Sequence, residues 1–277
     1  MPVINFPYID RELEKLDRNE EPPGYWRAFH WGLFEDAEAD PKLYFEAGEA
    51  MTEAIVSAAG VSDGSRVLDV GCGFGGTVDH VAMRNPTCRI AGLNIDERQL
   101  RQARRLLASH GRSPQSASTP FVTADGCQLP VASGSLDHVL AVECIFHFPS
   151  RKGFFKEAAR VLKPGGTIAL SDFLLAPGAL GAITTQMEQL DMGPWFGYSA
   201  RGLTSKGYER MGRACGLDLI VDENVTARTM PTYPALRELY RDADMPDGVT
   251  TIDACEALAQ SGSWEYHVLS FRKRQPS

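Results

Sequence analysis

An apolar run that empties into glycine constrains this chain more than any other feature: Val67-Leu68-Asp69-Val70 is followed at once by Gly71-Cys72-Gly73-Phe74-Gly75-Gly76. The run predicts a buried strand, and glycine is needed where the backbone turns through positive φ or meets a ligand more closely than a Cβ allows. One turn alone needs fewer than four glycines in six residues. The spacing Gly71-x-Gly73-x-Gly75 differs by one residue from the GxGxxG of dinucleotide folds, where a strand hands a pyrophosphate to a helix N-terminus. The turn therefore marks a ligand site at the end of a strand, and the segments after it decide which ligand.

Thr77 to Ala82 continue as a short helix, and Cys88 to Ile95 read as the next strand, with Asp96 placed to cap the following helix. That is one βαβ unit. A third strand leads into Asp125-Gly126-Cys127, where Asp-Gly is a strong turn dipeptide and the carboxylate is also a free acceptor. Gly134 to Pro149 supply a fourth strand, opened by Asp137, and its following loop, with Glu143 and His147 at the strand's C-terminal end and just beyond it, where ligands bind in open α/β sheets. Finally Arg160-Val161-Leu162-Lys163-Pro164-Gly165-Gly166 predicts a helix stopped by Pro-Gly-Gly, before a fifth strand ending near Asp172-Phe173.

Taken in order over residues 66–173, these segments resemble the motifs of the class I S-adenosylmethionine (SAM) dependent methyltransferases. The resemblance implies an α/β fold: a Rossmann-like seven-stranded sheet with an antiparallel last strand, helices on both faces, an N-terminal helical arm and a cap inserted after the fifth strand. It implies SAM as cofactor, S-adenosylhomocysteine (SAH) as its product, and no metal. The implied cofactor residues are Asp69, Gly71, Cys72, Gly73 and Gly75 in the first motif, Asp125, Gly126 and Cys127 at the adenine, and Glu143 near the sulfonium. In the commonest members an acidic residue ends the second strand and grips the ribose; here Asn94 stands there. The stretch Leu93 to Gln99 is similar instead to the branch with cyclopropane synthases, tocopherol methyltransferases and natural-product methyltransferases, which implies that Asn94, Ile95 and Gln99 share the ribose. Sugar and polyketide O-methyltransferases and prenyl-diphosphate C-methyltransferases are similar as well.

Four regions are expected: an arm with lid helices (1–60), the SAM-binding core (61–173), a substrate cap (174–205) and the completion of the sheet (206–277). In the arm, Ile9 to Leu16 form a short helix that packs on the chain itself or on a partner subunit, and Pro41 to Gly60 form a longer one. The aromatic stretch Gly24 to Phe34 is similar to one that folds over the cofactor in related families, making Tyr25, His30 and Trp31 a lid; the alternative is a staple that docks the arm on the sheet. Met187, Met192, Trp195, Phe196 and Tyr198 in the cap suit an apolar, irregular acceptor, or form the cap's own core. Lys206 to Gly216 read as a helix, and Leu217 to Val225 and Trp264 to Arg272 as the last two strands, the second alternating in polarity.

The 277 residues carry a formal net charge of −8, which argues against nucleic acid as partner, since a phosphate backbone is held by a basic surface. Arg98, Arg101, Arg104 and Arg105 read as one solvated helix face. The six cysteines have neither CxxC nor metal spacing, and no membrane-length apolar run or leader is read, so a reduced, cytoplasmic protein is expected. A homo-oligomer through the arm or the cap stays open.

Methyl transfer is an in-line displacement at an already activated methyl, so alignment and desolvation are the enzyme's main tasks. For a hydroxyl acceptor a neutral histidine is a natural base. His147 is that candidate, with Asp172 expected to orient it or to bind the acceptor. Glu143 raises the alternative of C-methylation at an alkene such as a prenyl chain or prenyl diphosphate, with the carboxylate as base. A third reading, from another class, is an inactive SAM-binding partner protein.

Overall fold

The computed structural model describes residues 7–18, 20, 24–179 and 203–275. The apolar run forms β1 (Arg66–Val70), flanked by parallel β2 (Arg89–Asn94) and β4 (Leu136–Ala141); β3 (Phe121–Thr123) lies outside β2 and β5 (Leu162–Leu175) outside β4. With β6 (Leu217–Asn224) and β7 (Trp264–Lys273) the sheet runs β3-β2-β1-β4-β5-β7-β6, and β7 is antiparallel to both neighbours. The strand order reverses between β1 and β4, and at such a switch point the carboxyl ends of the strands open a crevice. Val70, Asn94, Thr123 and Ala141 all end there.

Around the sheet lie α1 (Pro7–Arg18), α2 (Tyr44–Ala59), α3 (Gly76–Arg84), α4 (Glu97–His110), the short α5 (Pro114–Ser118), α6 (Arg151–Val161) and α7 (Ser205–Ala214). α1 buries Ile9, Leu13 and Leu16, spaced to share one helix face. It packs on α4 of its own chain: Arg98 donates to Asp10 at 2.7 Å, Arg105 to the Leu16 carbonyl at 2.7 Å, and Gln102 to Asp17. Of the four arginines expected to be solvated, Arg98 and Arg105 therefore hold the arm, because a long side chain can lay its stem on a neighbour and still pair its head.

Three details differ from expectation. α6 ends at Val161, and β5 already begins at Leu162, because the residue before Pro164 is disfavoured in the helical region and the chain turns extended ahead of it. β5 keeps Leu174 and Leu175 buried in the sheet, so strand rather than cap occupies 174 and 175. β7 does not alternate: Tyr266 to Phe271 are all buried, since α2 covers one face while Phe155 of α6 and Gly212 of α7 meet Phe271 on the other.

Between β6 and β7 the chain also forms α8 (Thr226–Thr229) and a helical hairpin, α9 (Thr232–Asp242) and α10 (Pro246–Gln260). No helix among the described residues is long and apolar enough to cross a membrane. All six cysteines are unbridged.

Candidate active site

The crevice at the switch point is a cavity of roughly 1470 Å³ counting its open mouth and the solvent space in it. Its donor half is built from strand ends. Gly71 (φ +77°) and Gly73 (φ +50°) turn the chain away from β1, and a Cβ at Gly73 would meet nothing within 4 Å except Gln99 Oε1 at 4.0 Å. The missing side chain leaves a cradle on the cavity wall. Across it, Asn94 Nδ2 donates to Gln99 Oε1 at 2.6 Å and Asn94 Oδ1 accepts from Asp96 N–H at 3.3 Å, which leaves the Gln99 amide hydrogens for a ligand. Asp125 spends Oδ1 on the Cys127 N–H at 2.8 Å and keeps Oδ2; turn residue and ligand acceptor are compatible at separate oxygens. Ile95 and Gly126 complete this half.

Four residues expected at the cofactor do not line the cavity. Asp69 is buried in β1, with Oδ2 unbonded and its pKa pushed up to about 7 by burial. Cys72 spends its N–H on the Leu93 carbonyl at 3.0 Å. Gly75 caps α3 and faces Leu107 and Ala103 of α4. Cys127 turns its thiol to the Ser150 carbonyl at 3.3 Å. Asp69, Cys72 and Gly75 thus belong to the packing of β1 and its exit loop on β2 and α4, and Cys127 to the packing of its own loop on the start of α6.

The other half of the cavity is built by side chains from distant elements. Trp31 gives its N–H to Glu143 Oε2 at 2.7 Å, with its ring edge-on to Phe173 at 5.1 Å. His30 is held between the Trp31 carbonyl at 3.1 Å and Thr52 Oγ1 at 3.0 Å, and burial pulls its pKa down to about 4. Tyr25 packs edge-on against Phe29 at 5.7 Å. All three line the cavity, together with Tyr8 and Ile9 of α1.

Glu143 is in the left-handed region at φ +46°, a conformation that costs a bulky residue about 1–3 kcal/mol and persists where the surroundings fix it. Its carboxylate also accepts from the Tyr266 hydroxyl. Burial pushes its pKa up to about 8, against the two hydrogen bonds and with help from Asp172. His147 sits in a single 3₁₀ turn, Ile145–His147, with Nε2 2.9 Å from the Tyr8 hydroxyl. Burial pulls its pKa down to about 3, so the ring is neutral.

Asp172 is not at the cavity. It is fully buried and accepts from Arg151 Nε at 3.0 Å and from the Tyr208 hydroxyl, since a carboxylate with no water must find such partners. The expected orienter of His147 is thus a structural ion pair, and the group that meets His147 is Tyr8. Met187, Met192, Trp195, Phe196 and Tyr198 lie outside the described residues. Sequence reasoning missed Tyr8, Tyr266 and the hairpin residues Leu236, Tyr240, Ile252 and Cys255, which also line the cavity or hold its groups. For the hairpin a signal was present: Leu236 and Tyr240, then Ile252 and Cys255, have helical spacing, and Pro246 is placed to start a helix.

The glycine cradle, the polar pair at Asn94 and Gln99 and the open oxygen of Asp125 fit SAM: backbone for the amino-acid end, amide donors for the ribose, a carboxylate for the adenine. A methyltransferase domain family matches residues 68–170, the strands that build this half. Methyltransferase GfsG of Streptomyces halstedii is 35% identical over 208 residues, 75% of this chain and 72% of that one. The 27-O-demethylrifamycin SV methyltransferase of Amycolatopsis mediterranei is 28% identical over 252 residues, 88% of this chain and 89% of its own. A sterol 24-C-methyltransferase of Aspergillus fumigatus is 32% identical over 233 residues, 83% and 59%. In fold, the mycolic acid cyclopropane synthase CmaA1, solved with SAH, overlays with a TM-score of 0.78 at 16% identity, over 97% of this chain and 99% of that one. The chain belongs to the SAM-dependent methyltransferases.

Proposed function

We propose that this enzyme methylates a hydroxyl oxygen of a small, largely apolar metabolite in natural-product biosynthesis. The observation that carries the reading is the make-up of the described cavity wall: no lysine or arginine lines it, Asp125 keeps an open carboxylate oxygen, Glu143 is an acid that a nearby cation helps to ionise, and the rest is mainly aromatic, aliphatic or neutral polar. Such a wall favours a cationic donor and an uncharged acceptor, and it repels a diphosphate.

When bound, SAM supplies a methyl group activated by its sulfonium. Gly71, Gly73, Asn94, Gln99 and Asp125 hold the donor, and Glu143 offsets its positive charge. Tyr25, His30 and Trp31 close the cavity from the arm and exclude water, which strengthens each of these interactions. The aromatic wall of Phe146 and Phe173, with Leu236 and Ile252 of the hairpin, aligns the acceptor without demanding directional partners. His147, kept neutral, takes the acceptor's proton at a ring nitrogen. Its low pKa is no obstacle, because a hydroxyl that has gained a methyl group is a far stronger acid than an imidazolium.

A second reading has one observation of its own: the Glu143 carboxyl is held in a left-handed backbone on the cavity wall, which supports a role for it as the base in C-methylation of an alkene. One assay separates the two. The enzyme is incubated with deuterium-labelled SAM and a panel of hydroxylated polyketides, hydroxylated terpenoids, sterols and prenyl diphosphates, and the labelled position is read by mass spectrometry and NMR. Label on oxygen supports the proposal. Label only on carbon overturns it in favour of the second reading.

A further inference from the structure

Three elements converge on Glu143. The arm reaches Oε2 through Trp31 N–H, β7 reaches the same oxygen through the Tyr266 hydroxyl, and β5 accepts the Glu143 N–H at Ser171 Oγ, 3.1 Å away. Tyr266 and Ser171 are themselves 3.1 Å apart through their hydroxyl oxygens. A phenol has one proton, and an ionised carboxylate can only accept. Tyr266 therefore gives its proton to Glu143, Ser171 gives its own to the Tyr266 oxygen, and Ser171 takes the Glu143 N–H, which closes a ring of three hydrogen bonds. Both donors to the carboxylate end on Oε2, so Oε1 is left at the cavity wall.

We propose that Tyr266, backed by Ser171, is a positioning residue that fixes the side chain and the charge that Glu143 presents to the methyl donor. The ring explains how a glutamate is kept in a left-handed conformation that its own backbone resists. It also opposes burial: the Tyr266 hydrogen bond favours the carboxylate form where desolvation favours the acid. The other titratable groups around Glu143 are Tyr8 of α1, Tyr44 of α2, Tyr233 and Tyr240 of α9, Cys255 of α10, Cys144 beside it and Asp172 of β5. The phenols and thiols are all pushed above their ordinary values by burial and stay uncharged near neutrality. Asp172 is neutralised by Arg151. Asp69, raised to about 7 by burial, acts on Cys144 from β1 but does not line the cavity; Glu143 is thus the lining group whose charge changes in this part of the wall, and Tyr266 is the partner that biases it.

The inference rests on the reading that Glu143 faces the sulfonium, and its test needs no acceptor. Binding of SAM, which carries the sulfonium charge, and of SAH, which lacks it, is measured by titration calorimetry from about pH 6 to about pH 9, a window that spans an acid raised by burial. In the wild type the ratio of SAM to SAH affinity rises with pH as Glu143 ionises, and Glu143→Gln makes it flat. In Tyr266→Phe the midpoint of the rise moves up by about one pH unit, because a charge-favouring hydrogen bond is lost. A Tyr266→Phe ratio that tracks the wild type at every pH overturns the proposal, as does a wild-type ratio independent of pH. If Tyr266→Phe does not fold, Ser171→Ala decides: it breaks the ring but leaves the phenol on the carboxylate, so a smaller shift in the same direction supports the proposal and no shift overturns it. Failure to methylate any hydroxylated compound overturns the proposed function alone.

Discussion

Replacing Gly73 by alanine separates the stability of the glycine turn from its use as a binding surface. At φ +50° an L-residue costs about 1–2 kcal/mol over glycine, and no clash is added, since the new methyl would meet only Gln99 Oε1 at 4.0 Å. At roughly 2–4 °C per kcal/mol for a chain of this class, the melting temperature should fall by only a few degrees. The same methyl stands in the cradle where the donor's backbone contacts are made, so affinity for both SAM and SAH should fall at least about tenfold, roughly 1.4 kcal/mol. Gly71→Ala is the contrast. Its φ is +77° and its Cβ would lie 2.6 Å from both Cβ and Sγ of Cys144, so overpacking adds about 1–3 kcal/mol and stability should fall further. Thermal melts with and without ligand, together with calorimetric titration, measure both terms. A Gly73→Ala protein that binds SAM and SAH within about twofold of the wild type would refute the reasoning, because the donor would then not lie against this loop.

Tyr8→Phe keeps the ring and removes the hydroxyl on His147 Nε2; turnover should fall about tenfold or more with SAM affinity unchanged, and combining it with His147→Gln should cost no more than His147→Gln alone, as for two groups that act as a unit. Asp10→Asn breaks the 2.7 Å pair with Arg98 that ties α1 to α4; both groups are partly exposed, so global stability should change by less than about 1 kcal/mol, while limited proteolysis should cut the arm several-fold faster, and an unchanged cleavage rate counts against the latch. On acidification, His30 and His147 stay neutral in the folded chain to about 4 and about 3, whereas their ordinary value is 6.5. The unfolded chain therefore binds protons first, and these histidines subtract stability as pH falls from 6.5 toward 4. Glu143 and Asp69, raised to about 8 and about 7, act in the opposite sense over part of that range, so the comparison is with a variant. Melting curves should show His147→Gln losing less stability than the wild type over this interval, and equal losses would contradict the assignment of a neutral histidine.

The donor half of the site was legible because it is written in consecutive residues. A strand that must end in positive φ needs glycine at Gly71 and Gly73, and a helix beginning after Asn94 needs the cap supplied by Asp96, which accepts from Arg98 N–H at 2.8 Å. Local chemistry of that kind survives in the order of the letters. It did not say which residues of each turn face the cavity, and so Asp69, Cys72, Gly75 and Cys127 were grouped with residues that line it although they do not. Asp172 illustrates the limit from the other side. A carboxylate at the end of β5 has the sequence of a site residue, and only the positions of Arg151 and Tyr208, 21 and 36 residues away, turn it into a buried ion pair.

The half opposite the donor was illegible for a physical reason that also bears on function. Tyr8 meets His147 across 139 residues, Trp31 meets Glu143 across 112, and Tyr266 meets Glu143 across 123; none of these pairings has a local periodicity to announce it. The polar contacts of the wall thus depend on the arm being in place: detaching α1 and the aromatic stretch removes partners from His147 and Glu143 at once. The donor cradle, by contrast, is made by β1, β2, α4 and the loop after β3, which are joined to one another by the Gly71 N–H on Leu93, Asn94 on Gln99 and the Ala124 N–H on Asn94. A fold organised this way can keep its donor half constant while the acceptor half changes, since altering the arm or the α9–α10 hairpin touches neither the glycines nor Asn94, Gln99 and Asp125.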